Sequence, residues 1–410
     1  MNVGIAVISD LHIGSGAKAK DFSLPGASEG VIDNYLSEFR KFVISEGLSA
    51  DYLVVPGDIT NSACKPEFEL ASERIAQIAL CLGVPESKIL FCPGNHDVDW
   101  ETVRVMSSLD HPESQIIKGK YFNFHTEGGL FSRNLLNAKG RFDESPYLAV
   151  WEFEDVIVYA LNTSVFDGPE KRPHCGEVRP EQLALIDKYL EGVDKTEKLK
   201  FFMFHHHPIQ YVDATFTAPD FSVMSNAAGL LDLLSKYEFD FVVHGHKHIP
   251  RFNMEIKDSG HPLSILCAGS FSASLDNKYF DAVGNRFHLI EFHDRCELSN
   301  YARGSVKTWT HFVGGGWTPS LRRPGAEHQQ SFGAFLPRAQ LIEKIRVQFE
   351  KEFVSAQYLK WSDFALANPE FKYFTSEALR VSLKEVAKSM GLLLHDIDAC
   401  GLDKLVILKG

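Results

Sequence analysis

Val3-Gly4-Ile5-Ala6-Val7-Ile8-Ser9-Asp10-Leu11-His12 is the stretch whose reading decides the fold. Its apolar, β-branched content over 3–9 predicts a buried strand, because a strand covered on both faces reads as a nearly continuous hydrophobic run. Apolar residues then return at helical spacing as Ile32, Tyr35, Leu36, Phe39, Phe42 and Val43, which predicts a helix over 32–45. The order repeats with a strand over 51–56, a helix over 66–82 and a strand over 88–92 that Pro93-Gly94 stops. Such strand–helix alternation predicts an α/β architecture.

Further along, 147–161 and 199–204 read as strands flanking a helix over 180–190. A helix over 227–236 follows, then strands over 239–243, 264–268 and 286–292, and these late strands suit a second sheet stacked on the first. Between them, 100–147 has mixed periodicity interrupted by Gly128-Gly129 and Gly140, and is expected to be an inserted cap. After about residue 300 the character changes. Gly314-Gly315-Gly316, Arg322-Arg323-Pro324 and Gln329-Gln330 predict an irregular connector over 301–336. A small, mainly helical C-terminal domain is expected over 337–410, with apolar residues at i, i+3 and i+4 over 339–358 and 376–390. A catalytic domain over 1–300 plus this appendage suits 410 residues, because single cores stop growing at about 250–300 residues.

Composition narrows the function classes. With 44% apolar and 23% charged residues the chain is ordinary globular protein, not a disordered or fibrous one. The net charge is −12 and no run of five Lys or Arg occurs, so the electrostatic footprint of an obligate nucleic-acid binder is missing. Small anionic substrates stay compatible with that charge if metals supply local positive charge. The seven cysteines at 64, 81, 92, 175, 267, 296 and 400 are scattered without a C-x-x-C spacing, which argues against a disulfide framework and a thiolate zinc site and predicts a cytoplasmic protein. No signal-peptide pattern opens the chain and no apolar stretch approaches 18 residues, so no membrane span is expected. Seventeen histidines gather around two short motifs.

Those motifs close predicted strands. Asp10 and His12 follow the first strand at alternate positions, so both can face one ion. Pro56-Gly57-Asp58 ends the second strand, and Gly94-Asn95-His96-Asp97 crowds an amide, an imidazole and a carboxylate at the end of the third. His205-His206-His207-Pro208 and His244-Gly245-His246-Lys247-His248 close two more. Each alone is compatible with a polar turn. Together they place acids, amides and imidazoles beyond strand ends, where α/β sheets bind ligands, and neutral imidazole is the commonest transition-metal ligand.

The order D-x-H, G-D, G-N-H-D, H-x-P and G-H-x-H over residues 1 to about 300 resembles the calcineurin-like metallophosphoesterase family. Gly176-Glu177 with Gln182-Leu183, Leu161-Asn162-Thr163 and Ala268-Gly269-Ser270 look closest to its class III cyclic-nucleotide phosphodiesterase branch. The resemblance implies a four-layer α/β/β/α fold of two stacked mixed sheets flanked by helices. It also implies two divalent ions of the Mn, Fe or Zn kind, one held by Asp10, His12 and His248, the other by Asn95, His206 and His246, with Asp58 bridging. His206 is chosen because the family places its ligand two residues before proline; His205 then faces away and His207 turns toward the substrate or the ligand shell. His96 is implied to contact the phosphate or protonate the leaving oxygen, with Asp97 orienting its ring.

The expected reaction is hydrolysis of a phosphodiester, probed against two rivals: a DNA nuclease of the same superfamily working with an ATPase partner, and a non-enzymatic scaffold. A filled ligand set disfavours the scaffold. Lys247 and His125 read as surface charges before they read as substrate contacts. From residue 331 onward 11 Lys plus Arg face 10 Asp plus Glu; the helix-turn-helix-like spacing over 382–397 is therefore assigned to packing or oligomerisation, not to DNA.

Overall fold

A computed structural model of the chain describes residues 2–26, 32–125, 129–139, 148–168, 174–191, 197–211, 223–257, 260–275, 283–321, 326–395, 397 and 401–410. Strand β1 (Val3–Val7), helix α1 (Tyr35–Glu46), strand β2 (Tyr52–Pro56), helix α2 (Lys65–Cys81) and strand β3 (Ile89–Cys92) follow the alternation expected from the opening sequence. The three strands are parallel, with Ile5 opposite Tyr52 and Val54 opposite Leu90. All residues of β2 and β3 are buried, as parallel strands covered on both faces require. Helix α1 buries Tyr35, Phe39, Phe42 and Val43, one stripe of a 3.6-residue period.

The segment expected as an inserted cap holds three short helices, α3 (Trp100–Ser108), α4 (Glu113–Lys120) and α5 (Leu130–Leu135). Asp99 caps α3 by accepting from Thr102 N at 2.9 Å. Gly128 and Gly140 lie outside the described residues.

A second sheet has six strands. These are β4 (Leu148–Glu152), β5 (Val156–Leu161), β6 (Leu199–Met203), β7 (Phe241–His244), β8 (Arg251–Ile256) and β9 (Pro262–Cys267), in the order β4-β5-β6-β7-β9-β8. Its four inner strands are parallel, and β4 and β8 pair antiparallel at the edges. Helices α6 (Pro180–Glu191) and α7 (Ala227–Lys236) pack Ile186, Leu190, Leu230 and Leu234 against Tyr159, Phe202 and Val242. The two sheets meet through Phe91 against Trp151 and Tyr52 against Phe153, with ring centroids 5.9 and 4.9 Å apart. The architecture is therefore α/β with two mixed sheets flanked by helices.

Where the sequence predicts an irregular connector, the chain forms strands. After β10 (Asn285–Arg295) come β11 (Ala302–Phe312), β12 (Gly316–Pro319) and β13 (Gln329–Phe332), and the first sheet runs β12-β11-β10-β1-β2-β3, with β13 on β11. Gly314-Gly315-Gly316 is a hairpin turn, not a linker: Gly315 N donates to Phe312 O at 3.0 Å. Arg322-Arg323-Pro324 lies outside the described residues. The chain divides into two compact units, 3–289 with 309–318, and 1–2 with 290–308 and 319–410, so it changes unit inside β10, inside β11 and inside β12.

The C-terminal region contains α8 (Arg338–Glu352), a short strand β14 (Tyr358–Lys360), α9 (Trp361–Ala367), α10 (Ser376–Met390), β15 (Leu392–His395) and β16 (Val406–Lys409). Leu341, Ile345, Phe349, Leu383 and Val386 form its core with Trp361 and Ile407. The strands pair as β14-β16-β15, a sheet that helical periodicity alone does not announce. Gly391 leads from α10 into β15, so the helix-turn-helix spacing is not followed by a second helix. No helix among the described residues is long and apolar enough to cross a membrane.

Candidate metal centre

Five of the sequence-nominated residues have an unusual backbone. Asp10, His12, Asp58, His246 and His248 carry φ of 50, 49, 49, 82 and 60°, a left-handed conformation that is uncommon for residues with a Cβ and concentrates at functional sites. The strands end and the chain turns sharply, so side chains that would continue outward swing back over the sheet ends. Gly57, at φ 87°, makes one such turn, and a Cβ there would lie 2.5 Å from His205 Nδ1. Gly94 makes room by its missing side chain alone: a Cβ would lie 2.3 Å from Asp58 Oδ1 and 2.4 Å from Asp58 N.

Asp58 stands at the middle. Its Oδ1 accepts from His96 N at 2.8 Å, while its Oδ2 lies 3.2 Å from His205 Nε2 and 3.6 Å from His12 Nε2. On one side, His12 Nε2 is 3.1 Å from His248 Nε2, and His248 Nε2 is 3.4 Å from Asp10 Oδ1. On the other, His246 Nδ1 is 3.1 Å from Asn95 Oδ1 and 3.3 Å from His205 Nε2. The two halves are tied together because Asp10 Oδ1 also accepts from His246 N at 2.9 Å, and Asp10 Oδ2 from Ser9 Oγ at 2.6 Å.

Electrostatics follow from burial and these contacts. Burial, then the charge of neighbouring imidazoles, holds His12 and His246 well below the usual imidazole value, so both are neutral bases with a lone pair to offer. For Asp58, burial opposes ionisation, but the facing imidazoles, His205 first, keep the carboxyl well below its usual range. His205 is the counterpart: burial lowers it, yet the charge and hydrogen bond of Asp58 override that and raise it to about 9. Imidazole and carboxylate atoms gather within 4.8 Å in the groups Asp10–His12–His248, His12–Asp58–His96, Asp10–Asp58–His205 and His205–His206–His246. This donor set, mixing hard oxygens with nitrogens, fits divalent Mn, Fe or Zn.

Around His205, His206, His207 and Asp97 the observed contacts differ from the expected ones. His205 does not face away; its Nε2 is the nitrogen against Asp58 and His246. His206 stays in the group with His205 and His246, with its Nδ1 2.8 Å from Thr163 Oγ1 and its Nε2 3.6 Å from Asp167 Oδ2. His207 packs its ring 4.6 Å from that of His244 and 6.0 Å from that of His246. Asp97 does not orient the His96 ring, because its oxygens accept from the backbone of Gly94, Ile59 and Thr60 and from Thr60 Oγ1. The group that fixes the ring is Asn61 O, 2.9 Å from His96 Nδ1. Burial and the charge of Asp58 raise Asp97 to about 6 against those backbone donors.

Sequence reasoning missed His205, Asn61 and Asp167. A signal for His205 existed: counting by two from β6 places Phe202 and Phe204 with the helix-side core, which sends 201, 203 and 205 to the opposite face. Asn61 acts through its backbone and Asp167 stands outside any motif, so neither leaves a side-chain signature. Among the described residues, His125 is not one of those whose ligand atoms gather here.

Solved structures similar to this chain include a purple acid phosphatase from yellow lupin (Lupinus luteus) seeds, at 13% identity and TM-score 0.45, with 76% of this chain and 52% of that one covered. This chain thus spans about half the length of the lupin enzyme. A dimetal phosphatase from Danio rerio aligns at 12% identity and TM-score 0.41, covering 75% of this chain and 95% of that one. A Haemophilus influenzae NAD nucleotidase aligns at 8% and 0.38, covering 78% and 53%. No curated protein matches. The description calcineurin-like phosphoesterase matches residues 3–250, more than half of the chain, and by that extent the chain belongs to the calcineurin-like phosphoesterase family.

Proposed function

We propose that the protein is a dinuclear metal-dependent phosphodiesterase acting on a nucleotide or a similarly small phosphodiester. The observation that carries the reading is the position of Asp58 Oδ2, one carboxylate oxygen 3.2 Å from His205 and 3.6 Å from His12. Asp10, His12 and His248 would hold one ion in this reading and Asn95, His205 and His246 the other, with Asp58 placed between the two groups. His206, anchored on Thr163, supports the second group from beside it. Bound there, two divalent ions would supply the charge that stabilises phosphoryl oxygens and acidifies water for an in-line displacement.

The chain's own groups do the rest. His96 Nδ1 must donate to Asn61 O, because a carbonyl only accepts. That leaves Nε2 as the ring nitrogen able to exchange a proton with the leaving oxygen. Asp97 holds the G-N-H-D turn against the loop of residues 59 and 60, so the backbone carrying Asn95 and His96 is fixed before substrate arrives. Two of the segments that look like the cyclic-nucleotide branch touch this site: Thr163 bonds His206, and Ser270 Oγ donates to Asp10 O at 2.8 Å.

Metal-depleted protein re-supplied with Mn²⁺ should cleave bis(p-nitrophenyl) phosphate and 3′,5′-cyclic nucleotides faster than p-nitrophenyl phosphate. A preference for the monoester would overturn the substrate class, and faster loss of linear DNA would favour a nuclease.

A further inference from the structure

Behind the loop that carries His246 and His248, three neighbouring strands of the second sheet deliver a different donor set. His207 follows β6, His244 ends β7 and Cys267 ends β9, with His244 directly opposite Cys267 in the ladder. All three are buried, and their ligand atoms lie within 4.8 Å of one another. We propose that His207, His244 and Cys267 form a separate site for a thiophilic divalent cation of the zinc class, closed by the hydroxyl of Tyr211.

His207 is the observation that asks for a ligand. Among the described residues its Nδ1 is buried without a hydrogen-bond partner, and its Nε2 lies 4.0 Å from Cys267 Sγ. A buried imidazole must carry a proton on one nitrogen and a lone pair on the other, so leaving both without a conventional partner is unfavourable. Coordination uses the lone pair. Tyr211 Oη, 2.8 Å from His244 Nε2, adds an oxygen at the same corner. Sulfur with two imidazoles suits zinc-like ions, whereas the Asp, Asn and His groups around Asp58 contain no sulfur. Burial keeps the free thiol protonated, with its value pushed up to about 12, so uptake of the cation releases one proton from Sγ as the metal–sulfur bond forms. Cys267 Sγ also approaches Ile249 O at 3.2 Å and Gly245 O at 3.8 Å. A cation held there would brace the 244–249 loop from behind.

The test uses the full chain loaded with Co²⁺ in place of the native metal. A cobalt–thiolate charge-transfer absorption in the near ultraviolet can come only from a sulfur ligand, so it reads this site apart from the Asp58 groups and apart from any hydrolysis. Wild type should show the band and bind one equivalent more than Cys267→Ser, which abolishes it. His207→Gln should weaken it at least several-fold, and Cys92→Ser should leave it unchanged. If Cys267→Ser does not fold, wild type and His207→Gln decide. Absence of the band in wild type, or a band unaffected by His207→Gln and Cys267→Ser, overturns the proposal.

Discussion

At Asp58 a single carboxylate meets a backbone donor through one oxygen and two imidazoles through the other. Asp58→Ala removes the group shared by both halves, and kcat on a phosphodiester should fall about 10³-fold or more, a barrier increase on the order of 4 kcal/mol. The neighbouring histidines separate by role. His205→Ala should lose bound metal in elemental analysis, whereas His206→Ala should keep it and lower turnover less; equal metal loss in both would return His206 to the ligand set. His96→Ala should keep its metal and lose about 10²-fold or more in kcat, the size of a lost proton-transfer group. Most of these residues were legible because D-x-H, G-D, G-N-H-D and G-H-x-H fix each one by spacing. H-H-H-P was not, since the proline marks where the chain stops being a strand but not which of three imidazoles still obeys its alternation. Asn61 was invisible because any residue supplies a carbonyl.

Turns, more than strands, set the site at the level of elements. Gly94→Ala places a Cβ against Asp58 backbone nitrogen, which cannot rotate away, so urea unfolding should show a loss of about 1–3 kcal/mol along with lower activity. In the C-terminal unit, Arg380 is buried inside α10 and pairs with Glu327 at 3.0 Å, and its Nη1 donates to Ile397 O. Arg380→Ala strands a buried carboxylate and should cost about 3–5 kcal/mol in the same measurement. Strands β1 to β3 and helices α1, α2, α7 and α10 were readable because their apolar periods are long and unbroken. The 301–336 stretch was not, because triple glycine is the same signal in a hairpin turn and in a linker, and only the pairing partner distinguishes them. Likewise, the scattered cysteines argue against a thiolate site only while ligands are sought along the chain; β6, β7 and β9 bring theirs together across the sheet.

Across the whole molecule, the fold stores many imidazoles in the neutral state. His288 is fully buried, and that burial lowers it to about 4 despite its bond to Ala268 O. The unfolded chain takes up this proton near pH 6.5 and the folded one only near 4, so the stability involved is complete above about 6.5 and is lost as pH falls toward 4. The loss is on the order of 3 kcal/mol for this group. Urea midpoints at pH 7 and pH 5 should therefore differ less in His288→Gln than in wild type, and an unchanged difference would remove His288 as the cause. The central claim is a paired metal centre built around Asp58. Its most direct measurement is bis(p-nitrophenyl) phosphate hydrolysis by metal-depleted protein titrated with Mn²⁺, beside Asp58→Asn under identical conditions. Activity should return with the metal in wild type and stay at least about 10²-fold lower in Asp58→Asn; no hydrolysis with any divalent ion, or equal rates in the two proteins, would contradict it.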